Sequence, residues 1–192
     1  MKSTLTTLAL LICSLCFAQQ TAPSSHRLAD SMQQKINYIE QNAEAAHPNQ
    51  APVVISEDEV NDYFAAGRVK LPQGVKKVTF KGQSGVVTTM AVVDFDEIRQ
   101  GQQSSNPMLS IFKGTNNVTI EADATGAGGK GKVHVRTVTL NDVEVPQFAL
   151  QYFVDKYIKP KYPNLGIDSE FQLPDRIDTA TVGYHKVTLT QK

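Results

Sequence analysis

Val118-Thr-Ile-Glu-Ala-Asp-Ala-Thr125, Gly126-Ala-Gly-Gly-Lys-Gly131 and Lys132-Val-His-Val-Arg-Thr-Val-Thr-Leu140 read together as a β-hairpin, and that reading decides the fold. In the first arm Val118, Ile120, Ala122 and Ala124 alternate with Thr119, Glu121 and Asp123, the period of two of a half-buried strand. The glycine-rich segment is a flexible turn, and the second arm returns from it. A turn centred between Gly128 and Gly129 pairs Asp123 with His134, Glu121 with Arg136, Ala124 with Val133 and Ala122 with Val135. Opposite charges then meet on one face and small apolar groups on the other, which favours the pairing. A phosphate-binding loop would run from a strand into a helix and end Gly-Lys-Ser/Thr. Here a strand follows a strand and Val133 follows Lys132.

Toward the amino terminus, Val75 to Phe80 and Val86 to Phe95 are two further strands, separated by Gly82 and Gly85. The second is apolar on both phases: Val87, Ala91, Val93 and Phe95 on one, Val86, Met90 and Val92 on the other. Such a strand is expected to be covered on both sides, by a helix or by a ligand. Gln100 to Pro107 is polar and loop-like, and Met108, Leu109, Ile111 and Phe112 after it are expected to reach the core.

Toward the carboxyl terminus, Leu140 to Pro146 is a turn returning to strand. Pro146 can open a helix at its first position. Phe148, Tyr152, Phe153, Asp155 and Tyr157 carry that helix to about Lys159, and Pro160 and Pro163 close it. Phe171-Gln-Leu-Pro174 precedes two last strands, Ile177 to Val182 and Val187 to Thr190.

Two helices precede the sheet. Leu28, Met32, Ile36 and Ile39 form one stripe of an amphipathic helix over 26–46, ended by Pro48 and Pro52. Ser56-Glu-Asp-Glu59 has the spacing of a capping box, with three carboxylates at the positive end of the helix it opens. That helix carries Val60, Tyr63 and Phe64 and stops at Gly67. The fold class is therefore α+β: a curved, mostly antiparallel sheet wrapped around one or two helices, with an extra N-terminal amphipathic helix. Residues 53–192 form one α+β domain, and 19–52 are the N-terminal helix and linker.

Residues 1–18 read as a signal peptide. Lys2 gives a positive start, Leu5 to Phe17 an apolar stretch, and Cys16-Phe-Ala18 small residues where a peptidase reads them, so cleavage before Gln19 is expected. The stretch is shorter than the roughly 20 residues of a membrane span. Cleavage removes both cysteines, Cys13 and Cys16, so the mature chain has no disulfide or thiol nucleophile. It also takes Lys2 from a chain with 19 basic and 19 acidic residues. A near-neutral balance argues against a nucleic-acid binder. The expectation is a periplasmic or secreted protein with no transmembrane span after cleavage.

Catalytic and metal chemistry find no pattern to rest on. His26, His47, His134 and His185 are far apart, and none has a second ligand at metal-site spacing. Capping accounts for Glu57, Asp58 and Glu59; Asp94, Asp96 and Glu97 lack the glycine and spacing of a calcium loop. No Gly-x-Ser-x-Gly elbow is present. No catalytic residue, metal or cofactor is expected. Lys130, Lys132, His134 and Arg136 make a basic stripe that cross-strand acids neutralise. More informative is the helix after Pro146, since Phe148, Tyr152, Phe153, Tyr157 and Tyr162 are five aromatics within fifteen residues. They pack on a sheet or line the mouth of an apolar pocket.

Three stretches together resemble a known group. Ile55-Ser-Glu-Asp-Glu-Val-Asn-Asp-Tyr-Phe64 resembles the S-E-x-E-x-N-x-Y helix opening the YpmS-type envelope proteins. Leu140-Asn-Asp-Val-Glu-Val-Pro146 is similar to the L-x-G-x-x-x-P crossover of LmeA-like and AsmA-like domains, with Asn141-Asp142 where those have a glycine turn. Phe171-Gln-Leu-Pro-Asp-Arg-Ile177 resembles their carboxyl end, while 26–50 has no counterpart. The resemblance implies a long curved sheet around a helix, akin to tubular lipid-binding (TULIP-like) modules, and a lipid or other apolar small molecule as ligand. With the two-sided strand and the aromatic helix, it names Val86, Met90, Val92, Phe148, Tyr152 and Phe153 as lining, between the sheet and the helices at 56–66 and 147–158. The rival expectation is a solid-core interaction module that docks on an envelope protein partner through the 26–46 helix. A hydrolase is a third, and needs two titratable groups brought together from distant segments.

Overall fold

The computed structural model describes residues 26–99 and 111–192. The expected signal peptide at 1–18, the loop over 100–107, and Met108 and Leu109 lie outside them. The elements run α1 (Arg27–Glu44), β1 (Val53–Ser56), α2 (Glu57–Ala65), β2 (Val75–Gln83), β3 (Val86–Asp94), α3 (Phe95–Arg99), β4 (Thr115–Ala127), β5 (Lys130–Leu140), β6 (Val143–Glu144), α4 (Gln147–Phe153) with a π-helical turn at Val154–Ile158, β7 (Asp168–Gln172), β8 (Ile177–Gly183) and β9 (Lys186–Gln191). The nine strands form one open antiparallel sheet in the order β1-β9-β8-β4-β3-β2, with β5 on the other edge of β4 and β6 and β7 along β5. The chain is α+β, as the alternating segments imply.

The β4–β5 hairpin turns at Gly128 and Gly129, both at positive φ, and pairs Asp123 with His134, Ala124 with Val133 and Ala122 with Val135. A bulge between Glu121 and Ala122 then shifts the register, so Glu121 opposes Thr137. That corrects two expected ion pairs. Arg136 is the extra residue of the bulge, and its guanidinium reaches Asp123 at 2.5 and 2.8 Å. His134 turns to Asp168 of β7, 2.6 Å away. The stretch at 168–172 pairs with β5 as a strand the sequence did not announce. Phe95 begins α3 instead of ending β3, and Asp94 Oδ1 accepts from the amides of Asp96 and Glu97. Pro146 is the N-cap of α4, one residue before its first position.

Strand register sorts side chains onto two faces. Phe80, Val87, Ala91, Val93, Val118, Ala122, Val182, Val187 and Ile55 share the face on which the helices pack. At one end of it α4 lowers Ala149, Phe153 and Tyr157, spaced four apart, into a core with Val93, Val118, Val138 and Leu140. Phe112 is the largest fully buried side chain among the described residues, 1% exposed, stacked on Phe153 at 4.2 Å and edge-on to Phe95 at 5.4 Å. At the other end α1 buries Ala29, Ile39 and Asn42, and leaves the expected stripe residue Leu28 exposed. The Asn42 amide donates to buried Gln191 of β9 at 2.8 Å, so α1 belongs to the body.

β4 holds the two halves together. Its first nine residues pair with β3, and Thr125 and Gly126 pair with β8. At Gly126 a Cβ would stand 2.7 Å from Ala180 Cβ and 2.9 Å from its backbone nitrogen, so only glycine lets the strands approach. Gly126→Ala is expected to force β4 and β8 apart and to cost about 2 kcal/mol. Urea unfolding measures it; a change below ~0.5 kcal/mol would show that the strands tolerate the wider spacing.

Candidate functional site

The β2–β3 and β8–β9 turns meet at a seam. The Gly85 amide donates to the Val182 carbonyl at 2.9 Å, and the His185 amide to the Gly82 carbonyl at 3.0 Å. α2 lies over this seam because it springs directly from β1. Ser56 Oγ accepts from the Glu59 amide at 3.2 Å and the Glu59 carboxylate accepts from the Ser56 amide at 2.8 Å, completing the capping box. The Glu57 amide donates to the His185 carbonyl at 2.8 Å.

From that position α2 fastens onto the free edge of β2. Asn61 Nδ2 donates to the Phe80 carbonyl at 2.9 Å, while Asn61 Oδ1 accepts from the Phe80 amide at 2.7 Å. One step along, Glu57 accepts from the Gly82 amide at 2.9 Å and from His185 Nδ1 at the same distance. Two side chains thus satisfy edge groups that would otherwise pair with another strand. Burial pushes the Glu57 carboxyl up, but the Gly82 amide, His185 and the charge of Lys81 together hold it below the ordinary carboxylate range. It stays ionised and fixed.

Beneath α2 the seam leaves a cleft of about 220 Å³, lined by Ile55, Val60, Phe80, Gly82, Val87, Val182 and Val187, with Glu57, Lys81 and Lys186 at its rim. Apolar walls with a few polar groups are the chemistry of a small-molecule site. Three larger hollows are polar or mixed. One of about 370 Å³ lies among Asp123, Lys132, His134, Asp168 and Glu170, whose charges are already paired. A second, about 420 Å³, runs past Gln151, Lys159 and Asn164, and a third, about 810 Å³, past Arg27, Asp58, Asp62 and Lys77. Of these four hollows among the described residues, the cleft under α2 has the most apolar lining.

The six residues named from sequence are not gathered there. Phe153 is 5% exposed and belongs to the core, whereas Phe148 and Tyr152 point outward, 64% and 38% exposed. Val86, Met90 and Val92 take the opposite sheet face. Their register partners are Asp123, Thr119 and Asn117 on β4 and Gln83, Thr79 and Lys77 on β2, so their surroundings are polar. The phase of β3 that reaches the cleft is the other one, through Val87. Ile55, Val60, Phe80, Val182 and Val187 were missed because they arrive from separate elements. A motif search sees no spacing there; the alternation of each strand was the available signal.

Three described histidines each face one carboxylate: His26 with Asp62 at 2.7 Å, His134 with Asp168 at 2.6 Å, and His185 with Glu57 at 2.9 Å. Among the described residues, no three side chains of metal-ligand type gather. Comparison with protein-family models, with curated proteins and with solved structures finds no match.

Proposed function

We propose that this chain is an exported, non-enzymatic domain that holds a hydrophobic or lipid-like ligand in the cleft beneath α2. The apolar cleft at the seam carries the reading. Its walls come from β1, β2, β3, β8, β9 and α2, and α2 is seated over it by hydrogen bonds from Asn61 and Glu57. Export rests on the character of residues 1–18. No helix among the described residues is long and apolar enough to cross a membrane. The expected site lay between the sheet and the helices at 56–66 and 147–158; the cleft keeps the first of these helices but not the second, beside which Phe95, Phe112 and Phe153 pack on one another.

The test uses the mature domain and an uncharged apolar fluorophore, N-phenyl-1-naphthylamine. Wild type is expected to bind it, and Val87→Trp, which fills the cleft, to weaken binding at least ~10-fold, the scale set by displacing a well-buried apolar group. Phe148→Ala, on the exposed face of α4, is expected to leave it unchanged. Equal uptake by wild type and Val87→Trp, or none by either folded protein, would remove the cleft from consideration.

A further inference from the structure

We propose that the guest of this cleft is one linear hydrocarbon chain with about nine carbons inside, and that the site selects it by length and not by head group. The inference rests on the cleft reading above and adds the class of ligand. Shape sets the first limit. Strand register puts Ile55, Val187 and Val182 abreast on β1, β9 and β8, and Gly82 and Val87 abreast on β2 and β3. The two rows meet at Gly82, where a Cβ would stand 3.6 Å from Val182 Cγ1. With no side chain at that position, the floor is open where the rows join. Phe80 lies two residues along β2, and Val60 closes the row from α2. An apolar row that crosses five strands is extended in one direction and suits a chain better than a compact cage.

Volume sets the second. A cavity of ~150 Å³ holds benzene, so the cleft's 220 Å³ takes about nine carbons at the same density. Charge sets the third. Lys81 stands opposite Thr88, and Lys186 opposite Gly183, over which its stem lies. Register therefore turns both side chains to the sheet face away from the cleft walls. Glu57, the acid at the rim, is occupied by the Gly82 amide and His185. The wall side chains are aliphatic or aromatic and hold no group to bind a head. A chain enters for its methylenes, and its polar end stays in water.

Displacement of bound N-phenyl-1-naphthylamine from the wild type tests it, with 1-hexanol, 1-octanol, 1-decanol and 1-dodecanol, each below its solubility limit. Competition is expected to strengthen about 4-fold per methylene up to about nine carbons and to gain little beyond, where added methylenes stay in water. Decanoate and decyltrimethylammonium, below their micellar concentrations, should compete within about 5-fold of 1-decanol, the most that an exposed charge usually contributes. 1-Adamantanol, which folds the same number of carbons into a cage, should compete at least ~10-fold worse than 1-decanol. Val87→Ala lengthens one end of the row and should carry the gain about two carbons further. A gain that continues undiminished through 1-dodecanol overturns the length limit, and 1-adamantanol equal to 1-decanol overturns the linear chain. A head-group preference beyond ~10-fold overturns selection by length, and a limit that folded Val87→Ala leaves in place overturns the row as the chain's path. If no alcohol displaces the fluorophore, the chain falls and the apolar cleft stands. If wild type and Val87→Trp take up the fluorophore equally, both readings fall.

Discussion

Phe153→Ala is expected to remove about 3–5 kcal/mol of stability, the usual cost of truncating a fully packed phenylalanine. Its ring is stacked on Phe112 at 4.2 Å, edge-on to Phe95 at 5.5 Å, and 5.2 Å from Tyr157, so deletion opens a cavity bounded by three aromatics. Phe112 is almost fully enclosed and cannot relax into that space without losing its own contacts. At roughly 2–4 °C per kcal/mol, the melting temperature should fall by about 10 °C or more. Phe148→Ala, five positions earlier on the outer side of α4, should change stability by less than ~0.5 kcal/mol. The pair separates packing from ligand contact. A loss below ~1 kcal/mol at Phe153 would mean that the aromatic cluster is loose and that α4 borders open space.

Glu59 is expected to give the second large effect. Its side chain is 6% exposed and accepts from Lys35 Nζ at 2.7 Å, Ser31 Oγ at 2.6 Å and the Ser56 amide at 2.8 Å. One carboxylate thus caps α2 and joins it to α1. Glu59→Ala removes the reciprocal cap, leaves Ser31 without its acceptor and leaves Lys35 only the Val54 carbonyl at 2.7 Å, at a cost of about 3 kcal/mol. Burial alone raises its pKa, yet Lys35, Ser31 and the Ser56 amide together bring it from 4.5 to about 2.

The sign of the pH dependence follows from that depressed value. An unfolded chain binds the proton near 4.5 and the folded one near 2, so the stabilisation is complete above 4.5 and is lost as pH falls toward 2. Between pH 5 and pH 3 the wild type should lose about 2 kcal/mol more than Glu59→Gln, which has no proton to take up at that site. Urea unfolding at the two pH values reads the difference directly. Parallel losses in the two proteins would place the carboxyl in ordinary solvent.

Local structure was open to a reader of the sequence. Ser56 and Glu59 sit three residues apart before Val60, and a capping box needs nothing beyond that spacing. The Ala122–Ala127 arm found its partners because alternation and a Gly128-Gly129 turn fix the register of a hairpin between them. The bulge after Glu121 was not visible, since one extra residue leaves composition and alternation on either side intact. It moved Arg136 to Asp123 and freed His134 for β7.

For the site, β3 shows why legibility ended. Val86, Met90 and Val92 are as apolar as Val87, Ala91 and Val93, so period alone cannot say which phase meets the helices. Neighbouring strands decide it: Asp123, Thr119 and Asn117 stand beside the first set, while Ala122 and Val118 stand beside the second. On α4 the same ambiguity separated Phe153 from Phe148, because both are phenylalanines on a helix aromatic on more than one side. By itself the sequence determined most of the helices and strands, β7 and α3 excepted, how the hairpin turns and how α2 begins, all governed by neighbours a few residues apart. Tertiary structure alone decided which apolar surface is filled and which stays hollow. That outcome depends on how closely β1, β2, β3, β8, β9 and α2 approach, distances set by packing between segments far apart in the chain.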